Sequence, residues 1–544
     1  MVAPYAELHC HSAFSFLDGA SHPEELVDRA VAHGYRALAL TDHDNLCGAL
    51  VFAQAAAAAG LKPITGCELT VRVEGEQRHL TLLVEQRRGY EHLCELITRA
   101  HAGTRDGTDR SPDQPVAELS DVVELAEGLL CLTGCARHGI EAEGSVRQLA
   151  EAFEGRLWVE LQRPFQRGDQ ARMRARRALA RRLGLPVVAT NDVHVHSRRR
   201  GPLQDALVAI RVHATLDACE AERRGNREHV LKRPSEMVAL FADVPEAVAA
   251  TAAIADRIDF DLTRDLGYRP PATVAEPDGE LSRLCRHVFD ERYPVGSQHA
   301  AEARSRLDEE LALIRHHGLS GFFLLHHEVL ELAREVALEV RGRDSPRMLL
   351  PPGRGRGSSV GSIVCYLTGL SHVDPVSSGL SLGRFLNREL AAVPDIDLDF
   401  PRDIRAGLIL RVHDRYGPRH AALVGALATY RARGAIRELG KVLGLPPADI
   451  ARLATASDGW SAANVSEELA QLPGIAERAG DRRFRALASL AREIAGLPRH
   501  LSQHPGGMII SDRPLSTMVP LQPAAMEGRT ICQWDKDSAA TPAS

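Results

Sequence analysis

Nine candidate metal ligands stand out in the first 200 residues, and eight of them fall at or just behind the ends of short apolar runs. His9 and His11 close the run 5–9, and Asp18 stands in the loop behind them. His43 follows the next run, in Thr-Asp-His-Asp, and Glu68 ends the third, in Gly-Cys-Glu. Cys135 follows Leu-Thr-Gly, and Asp192 and His194 sit in Asn-Asp-Val-His. His79 differs in opening its run. Two histidines at i and i+2 of an extended chain point the same way, as two ligands of one ion must. Neutral imidazoles with carboxylates form a borderline-soft set suited to Zn, Mn or Fe.

Strand-like runs cover 5–9, 37–40, 63–68, 79–84, 129–133, 157–161 and 186–189, with helical stretches such as 23–33, 47–59 and 170–183 between them. Ser21 and Glu24 have the spacing of a capping box for the first helix. The arginines at 172, 174, 176, 177, 181 and 182 read as a solvated outer helix face. Seven strands with intervening helices predict an α/β fold, a parallel (βα) barrel whose C-terminal strand ends share one rim and bring the polar residues together.

Further along, residues 216–265 read as a helical linker, and turn residues at 267–271 mark a boundary. A run beginning at Met348 leads into Gly355-Arg356-Gly357-Ser358-Ser359 and then an apolar helix at 363–370. Strand, glycine-rich turn and helix form a layout that cradles phosphate, with backbone N–H groups, a helix N-terminus and arginine as donors. The Gly-Lys-Ser/Thr ending of a Walker A loop is absent. In the segment 393–400, Asp395, Asp397 and Asp399 alternate with Ile396, Leu398 and Phe400. Three carboxylates on one strand face ~7 Å apart repel unless cations lie between them. Paired metal ions are a common solution for phosphoryl transfer. A calcium loop does not fit, because Phe400 stands where glycine is needed and Ala406 where a bidentate glutamate is needed.

The chain has 544 residues, 66 Lys+Arg against 72 Asp+Glu, and a formal charge of -6, a balance that neither supports nor excludes a nucleic-acid partner. No apolar run approaches the ~18 residues of a membrane span, and the first residues lack the pattern of an export signal. A cytoplasmic location with no membrane partner is expected. The ten cysteines form no CxxC pair and read as reduced, buried thiols.

His-Cys-His, Thr-Asp-His-Asp, Gly-Cys-Glu, His-Leu-Thr-Leu-Leu and Asn-Asp-Val-His together resemble the PHP (polymerase and histidinol phosphatase) domain, a distorted seven-stranded barrel. The resemblance implies three metals (Zn2+ or Mn2+): one on His9, His11, Glu68 and Asp192, a second on Asp18, His43 and His194, and a third on Glu68, His79 and Cys135. It also implies metal-assisted phosphoester hydrolysis, such as 3′-5′ exonuclease activity.

The second-half motifs, with Val373-Asp-Pro-Val, Arg384-Phe-Leu and His504-Pro-Gly-Gly, resemble the bacterial C-family DNA polymerases, the DNA polymerase III alpha subunits. The barrel length and runs such as Ala428-Thr-Tyr-Arg are most similar to the error-prone alpha-subunit paralogues. This resemblance implies a DNA-directed DNA polymerase of replication or repair acting on primer-template DNA and dNTPs with Mg2+. Asp395 and Asp397 would be palm catalytic carboxylates, and Gly355, Arg356, Gly357, Ser358 and Ser359 would bind the nucleotide. Arg431, Arg433, Arg437 and Lys441 are candidate DNA-backbone contacts and equally candidate plain helix-surface charges. The implied organisation is a PHP barrel (1–215), helical linker (216–267), first palm part in a mixed α+β fold (268–405), helical thumb-like region (406–500) and palm return (501–544). The family takes a third palm aspartate from a strand due shortly after Gln533-Trp-Asp-Lys-Asp-Ser, and neither Asp535 nor Asp537 matches its position. The expectation is therefore an N-terminal portion, partnered by a C-terminal polymerase half and unable to extend a primer alone. A stand-alone PHP phosphoesterase and a non-catalytic metal barrel are the alternatives.

Overall fold

The computed structural model describes residues 5–105, 114–266, 274–346, 353–383, 385–389, 396–457 and 481–540. The predicted catalytic residue Asp395, the motif residue Arg384 and the boundary at 267–271 lie outside them.

The first part is a curled sheet of β1 (Ala37–Leu40), β2 (Lys62–Val73), β3 (Glu76–Val84), β4 (Ala117–Glu118), β5 (Leu129–Leu132), β6 (Leu157–Leu161) and β7 (Val187–Ala189). The order is β1-β2-β3-β5-β6-β7, with β4 paired to β2. The expected all-parallel arrangement is corrected here: β3 runs antiparallel to both β2 and β5. Only Glu74 and Gly75 separate β2 from β3, both at positive φ (52° and 84°), and a two-residue turn of that kind joins antiparallel strands only. Residues 5–9 form no regular strand. Single parallel bridges, Glu7 to Leu38 and Cys10 to Val193, lay this segment between the two edges of the sheet. The polar ends of these elements thereby meet on one side.

Inside, Leu8, Ile64, Leu83, Leu130, Leu132 and Val188 form an apolar core. Ile254, Ala255 and Ile258, from the end of the helix Pro245–Arg257 and just beyond, complete it. Each such fully buried aliphatic side chain contributes about 1.5–3 kcal/mol. The segment expected as a linker thus packs into the barrel.

Beyond it, the helices Pro277–Arg292, Ala300–His316 and Ser320–Arg341 pack through Phe289, Leu307 and Phe323 onto the short helix Ile363–Leu367. Two short strands, β8 (Arg354–Arg356) and β9 (Asp397–Asp399), pair antiparallel. A four-stranded sheet follows, in the order β11-β10-β13-β12, from β10 (Ala421–Thr429), β11 (Pro498–Ile510), β12 (Leu521–Pro523) and β13 (Thr530–Cys532). β10 falls inside the stretch expected to be a helical thumb-like region: its apolar run Ala421-Ala-Leu pairs with β11. The helices Ala432–Val442, Pro447–Ala456 and Arg482–Ile494 then bundle around Ile436, Leu439, Leu453 and Leu487, in one core with Leu203 and Leu207 of the helix Gly201–Arg211.

The second sheet also seats on the barrel. Tyr90 Oη donates to the Met518 carbonyl at 2.8 Å, the Leu521 amide to Thr98 Oγ1 at 2.9 Å, and the Leu46 amide to Gln533 Oε1 at 2.9 Å. All ten cysteines are buried and unpaired. Among the described residues no helix is long and apolar enough to cross a membrane.

Candidate metal centre and acidic strand

On the barrel rim, His9 Nδ1 lies 2.7 Å from Glu160 Oε1, which fixes the ring and aims Nε2 inward. His11 Nδ1 is held likewise by Ser15 Oγ at 3.0 Å. The inward Nε2 of His9 stands 3.3 Å from Glu68 and 3.8 Å from Asp192, and that of His11 stands 3.6 Å and 3.4 Å from the same carboxylates. Both Nε2 atoms and Glu68 Oε1 are buried and lack a hydrogen-bond partner. Four ligand atoms at tetrahedral bonds of ~2.0–2.1 Å would be separated by about 3.4 Å. The observed spacings and the orphaned atoms fit a divalent cation.

Beside this set, His43 Nε2 lies 3.7 Å from Glu68 and 3.4 Å from His79 Nε2, while His79 Nδ1 lies 3.2 Å from Glu68 and 3.8 Å from Cys135 Sγ. His43, Glu68 and His79 therefore form a second group of adjacent ligand atoms. The family-implied grouping placed His43 with Asp18 and His194, whereas in the structure His43 stands with His79. Burial opposes charge on both partners, yet His79 and His9 hold the Glu68 carboxyl well below the usual carboxylate range. Burial, with Glu68 and Asp192 nearby, pushes the Cys135 thiol up.

The third group centres on Asp192, with His194 and His229. Asp18 joins it, 3.2 Å from His194 Nε2. Arg224 reaches in from the segment expected as linker, donating to Asp18 at 3.0 Å, to Asp192 at 3.1 Å and to His194 Nε2. Burial and the Arg224 guanidinium lower the His194 pKa to about 4, so this ring is neutral and accepts at Nε2. Sequence reasoning missed Glu160, Arg224 and His229. The only available signals were a glutamate two residues before a glutamine in one strand end and a polar Arg-Arg-Gly-Asn-Arg-Glu-His stretch.

Arg176 is a further surprise. Expected on a solvated face, its side chain is only 4% exposed and donates to the carbonyls of Gly134, Cys135 and Glu160 at 3.0, 2.7 and 3.0 Å. It pins the loop that presents Cys135. A cavity of about 90 Å³ lined by His43, Glu68, His79, Cys135 and Asp192 shares Arg137 and Arg224 with a neighbouring cleft of about 950 Å³. That cleft is lined also by Arg78, Arg167, Arg172 and Arg223, a cationic approach suited to phosphates.

At the second site β8 and β9 pair with Arg356 opposite Asp397 and Gly355 opposite Leu398. Ile396 is buried and Leu398 and Phe400 pack on the helical core, which turns Asp397 and Asp399 outward. Arg356 Nε lies 3.8 Å from Asp397 and 3.5 Å from Asp399. Gly355 is obligatory, since a Cβ there would sit 2.1 Å from the Leu370 carbonyl oxygen, and Gly357 takes φ +75°. Ser358 is exposed, and Ser359 is buried, its Oγ donating to the Arg356 carbonyl at 2.9 Å.

The helix N-terminus expected to face an anion is occupied. Buried Glu310 accepts from the amides of Ile363 and Val364 at 3.0 and 3.2 Å and from Ser362 Oγ at 2.8 Å. Any phosphate at this turn would meet Arg356 and the 355–359 backbone instead. On the helix Ala432–Val442, Arg433, Arg437 and Lys441 share the exposed face opposite buried Ala435, Ile436 and Leu439, and exposed Arg431 precedes it.

Comparison with known families agrees with both halves. Residues 7–164 match the PHP domain, and residues 279–542 match the bacterial DNA polymerase III alpha NTPase domain. An error-prone DNA polymerase of Pseudomonas fluorescens is 38% identical over 98% of this chain and 49% of its own length. Another, of Pseudomonas savastanoi pv. phaseolicola, is 39% identical over 99% and 50%. A third, of Anaeromyxobacter dehalogenans, is 35% identical over 98% and 53%. The chain spans about half the length of the curated relatives it matches. Two domain matches in the same order as the ligand-rich barrel and the acidic strand, together with near-complete coverage by error-prone polymerases, show that the chain belongs to the bacterial DNA polymerase III alpha family, with a PHP domain ahead of its polymerase segment.

Proposed function

We propose that this chain supplies the metal barrel and the acidic palm strand of a DNA-directed DNA polymerase of the error-prone type, acting on primer-template DNA and dNTPs in replication or repair. The observation that carries this reading is the antiparallel pairing that sets Asp397 and Asp399 against Arg356 and the Gly355–Gly357 turn. Carboxylate oxygens of this kind suit Mg2+ beside substrate phosphates. Asp397 and Asp395 take the role of catalytic carboxylates, and Gly355, Arg356, Gly357, Ser358 and Ser359 hold the triphosphate. Under this reading 1–215 form the barrel, 216–267 its helical extension, 268–405 and 501–544 the palm and 406–500 a thumb-like region.

In the barrel, His9, His11, Glu68 and Asp192 would hold one cation and His43, His79 and Cys135, sharing Glu68, another, with Zn2+ or Mn2+ the ions the donor set favours. Such cations supply charge neutralisation for a phosphoester and a lowered pKa for water. Glu160 and Ser15 keep the imidazoles oriented, while Arg78 and Arg137 attract the phosphate backbone of a DNA 3′ end to the cleft. This supports hydrolysis of 3′ ends as a second activity of the same chain.

DNA binding by the chain as it stands tests the assignment of the helix-surface cations. Fluorescence anisotropy with a primer-template duplex should show affinity falling with salt. The Arg433→Ala/Arg437→Ala pair should lower the slope of log K against log[salt] by about 2, roughly one per lost phosphate contact. An unchanged slope contradicts the placement of duplex DNA on this face.

A further inference from the structure

The three ligand groups on the rim are not alike in charge. Glu68 is surrounded by His9, His11, His43 and His79, and the orphaned Nε2 atoms of His9 and His11 belong to this half, while the orphaned His229 Nε2 belongs to the Asp192 group. Asp192 turns Oδ1 to His9 and His11, but its Oδ2 and Asp18 meet protein cations: Arg224 bridges them, and Arg211 lies 3.4 Å from Asp18. Arg224 also donates to His194 Nε2, the atom a metal would need. Its side chain is only 15% exposed.

The backbone that delivers this guanidinium is fastened at several points. Gln166 Nε2 donates to the Arg224 carbonyl at 2.9 Å, Asn226 Nδ2 to the Pro164 carbonyl at 2.6 Å, and Arg137 to the carbonyls of Ala221 and Glu222 at 2.9 and 3.1 Å. The segment itself has no regular strand or helix, and Gly225 takes φ +75° in open space. It is therefore held by a few side-chain bonds and not by a ladder, an arrangement that lets it open as a unit.

We propose that Arg224 is a built-in competitor for a divalent cation at the Asp18–Asp192–His194 group. The barrel then has cation positions around Glu68 that load directly and one position that loads only when the guanidinium leaves. The inference rests on the reading of the barrel as a metal centre. Because one group cannot bind both partners at once, metal affinity there is reduced by the stability of the Arg224 contacts, and metal binding must loosen the 221–226 segment.

Isothermal titration of the full chain with Mn2+ alone tests this. The wild type should show a tight class and a class weaker by about tenfold or more. Arg224→Met should tighten the weak class by a similar factor without altering the tight one, while Arg224→Lys, which retains a cation, should leave it weak. Equal Mn2+ stoichiometry and affinities in wild type and Arg224→Met overturn the proposal. A second measurement needs no variant. Hydrogen exchange at the Glu222 and Arg223 amides, both bonded to the Cys219 carbonyl, should accelerate when the weak class fills. Unchanged exchange at full saturation also overturns it. No Mn2+ binding by any of the chains would overturn the metal reading of the barrel itself, and this inference with it.

Discussion

Arg176→Met should lower the free energy of the barrel's unfolding transition by about 3–5 kcal/mol, far more than a surface arginine would cost. The wild-type guanidinium satisfies three main-chain carbonyls, those of Gly134, Cys135 and Glu160, and pairs with Glu141 at 2.8 Å. Methionine fills much of the same volume but donates nothing; the Cys135 carbonyl keeps the Gly139 amide at 2.8 Å, while the Gly134 and Glu160 carbonyls lose the Arg176 donor, and each buried acceptor left without one costs about 1–3 kcal/mol. Partial relaxation and water entry recover some of the sum. Urea unfolding should show the loss as a lower midpoint at unchanged slope. The same change frees the loop carrying Cys135, so metal affinity should fall as well. A loss below about 1 kcal/mol would mean that the carbonyls find other donors and that Arg176 is the solvent-facing residue its neighbours suggest.

The second large effect concerns Glu68, a side chain within ion-pair distance of His9, His11, His43 and His79 together. Glu68→Ala removes the shared carboxylate of two ligand groups. Elemental analysis should find at least one fewer divalent ion per chain. A ligand that binds only the folded state adds stability, about 2.7 kcal/mol at a concentration one hundred times its dissociation constant. Most of the rise in melting temperature on adding Zn2+ or Mn2+ should therefore vanish in the variant. Glu68→Gln, which retains the volume without the charge, should resemble Glu68→Ala in metal content. Full metal content in both variants would contradict the site.

Much of this centre was legible before any coordinates. The runs at 37–40 and 157–161, apolar except for Glu160, are strands with those boundaries, because a short buried strand needs only a mostly apolar run bounded by polar residues. The alternation of Ile396 and Leu398 with Asp397 and Asp399 correctly separates a packed face from a solvent face, since the strand period is two.

Direction was not legible. The β2–β3 hairpin has the same alternation whether its strands run parallel or antiparallel, and its Glu-Gly turn is a weaker signal than Asn-Gly. Nor does a run of arginines reveal that one of them, Arg176, turns inward to three carbonyls. Long-range partners are hidden for the same reason. Glu310 caps a helix that begins more than fifty positions later, and Arg224 reaches Asp18 across more than two hundred. The β10 strand was absorbed into a helical region because an Ala-rich run suits either state until a partner strand is known.

Under the proposed function the acidic strand beside Arg356 serves nucleotidyl transfer. Primer extension measures it most directly, with this chain combined with the portion of the Pseudomonas fluorescens error-prone DNA polymerase that it does not match. Mg2+-dependent extension is expected from the wild-type combination and should fall by orders of magnitude in Asp397→Asn, with duplex affinity retained. Extension at an undiminished rate in Asp397→Asn would contradict it.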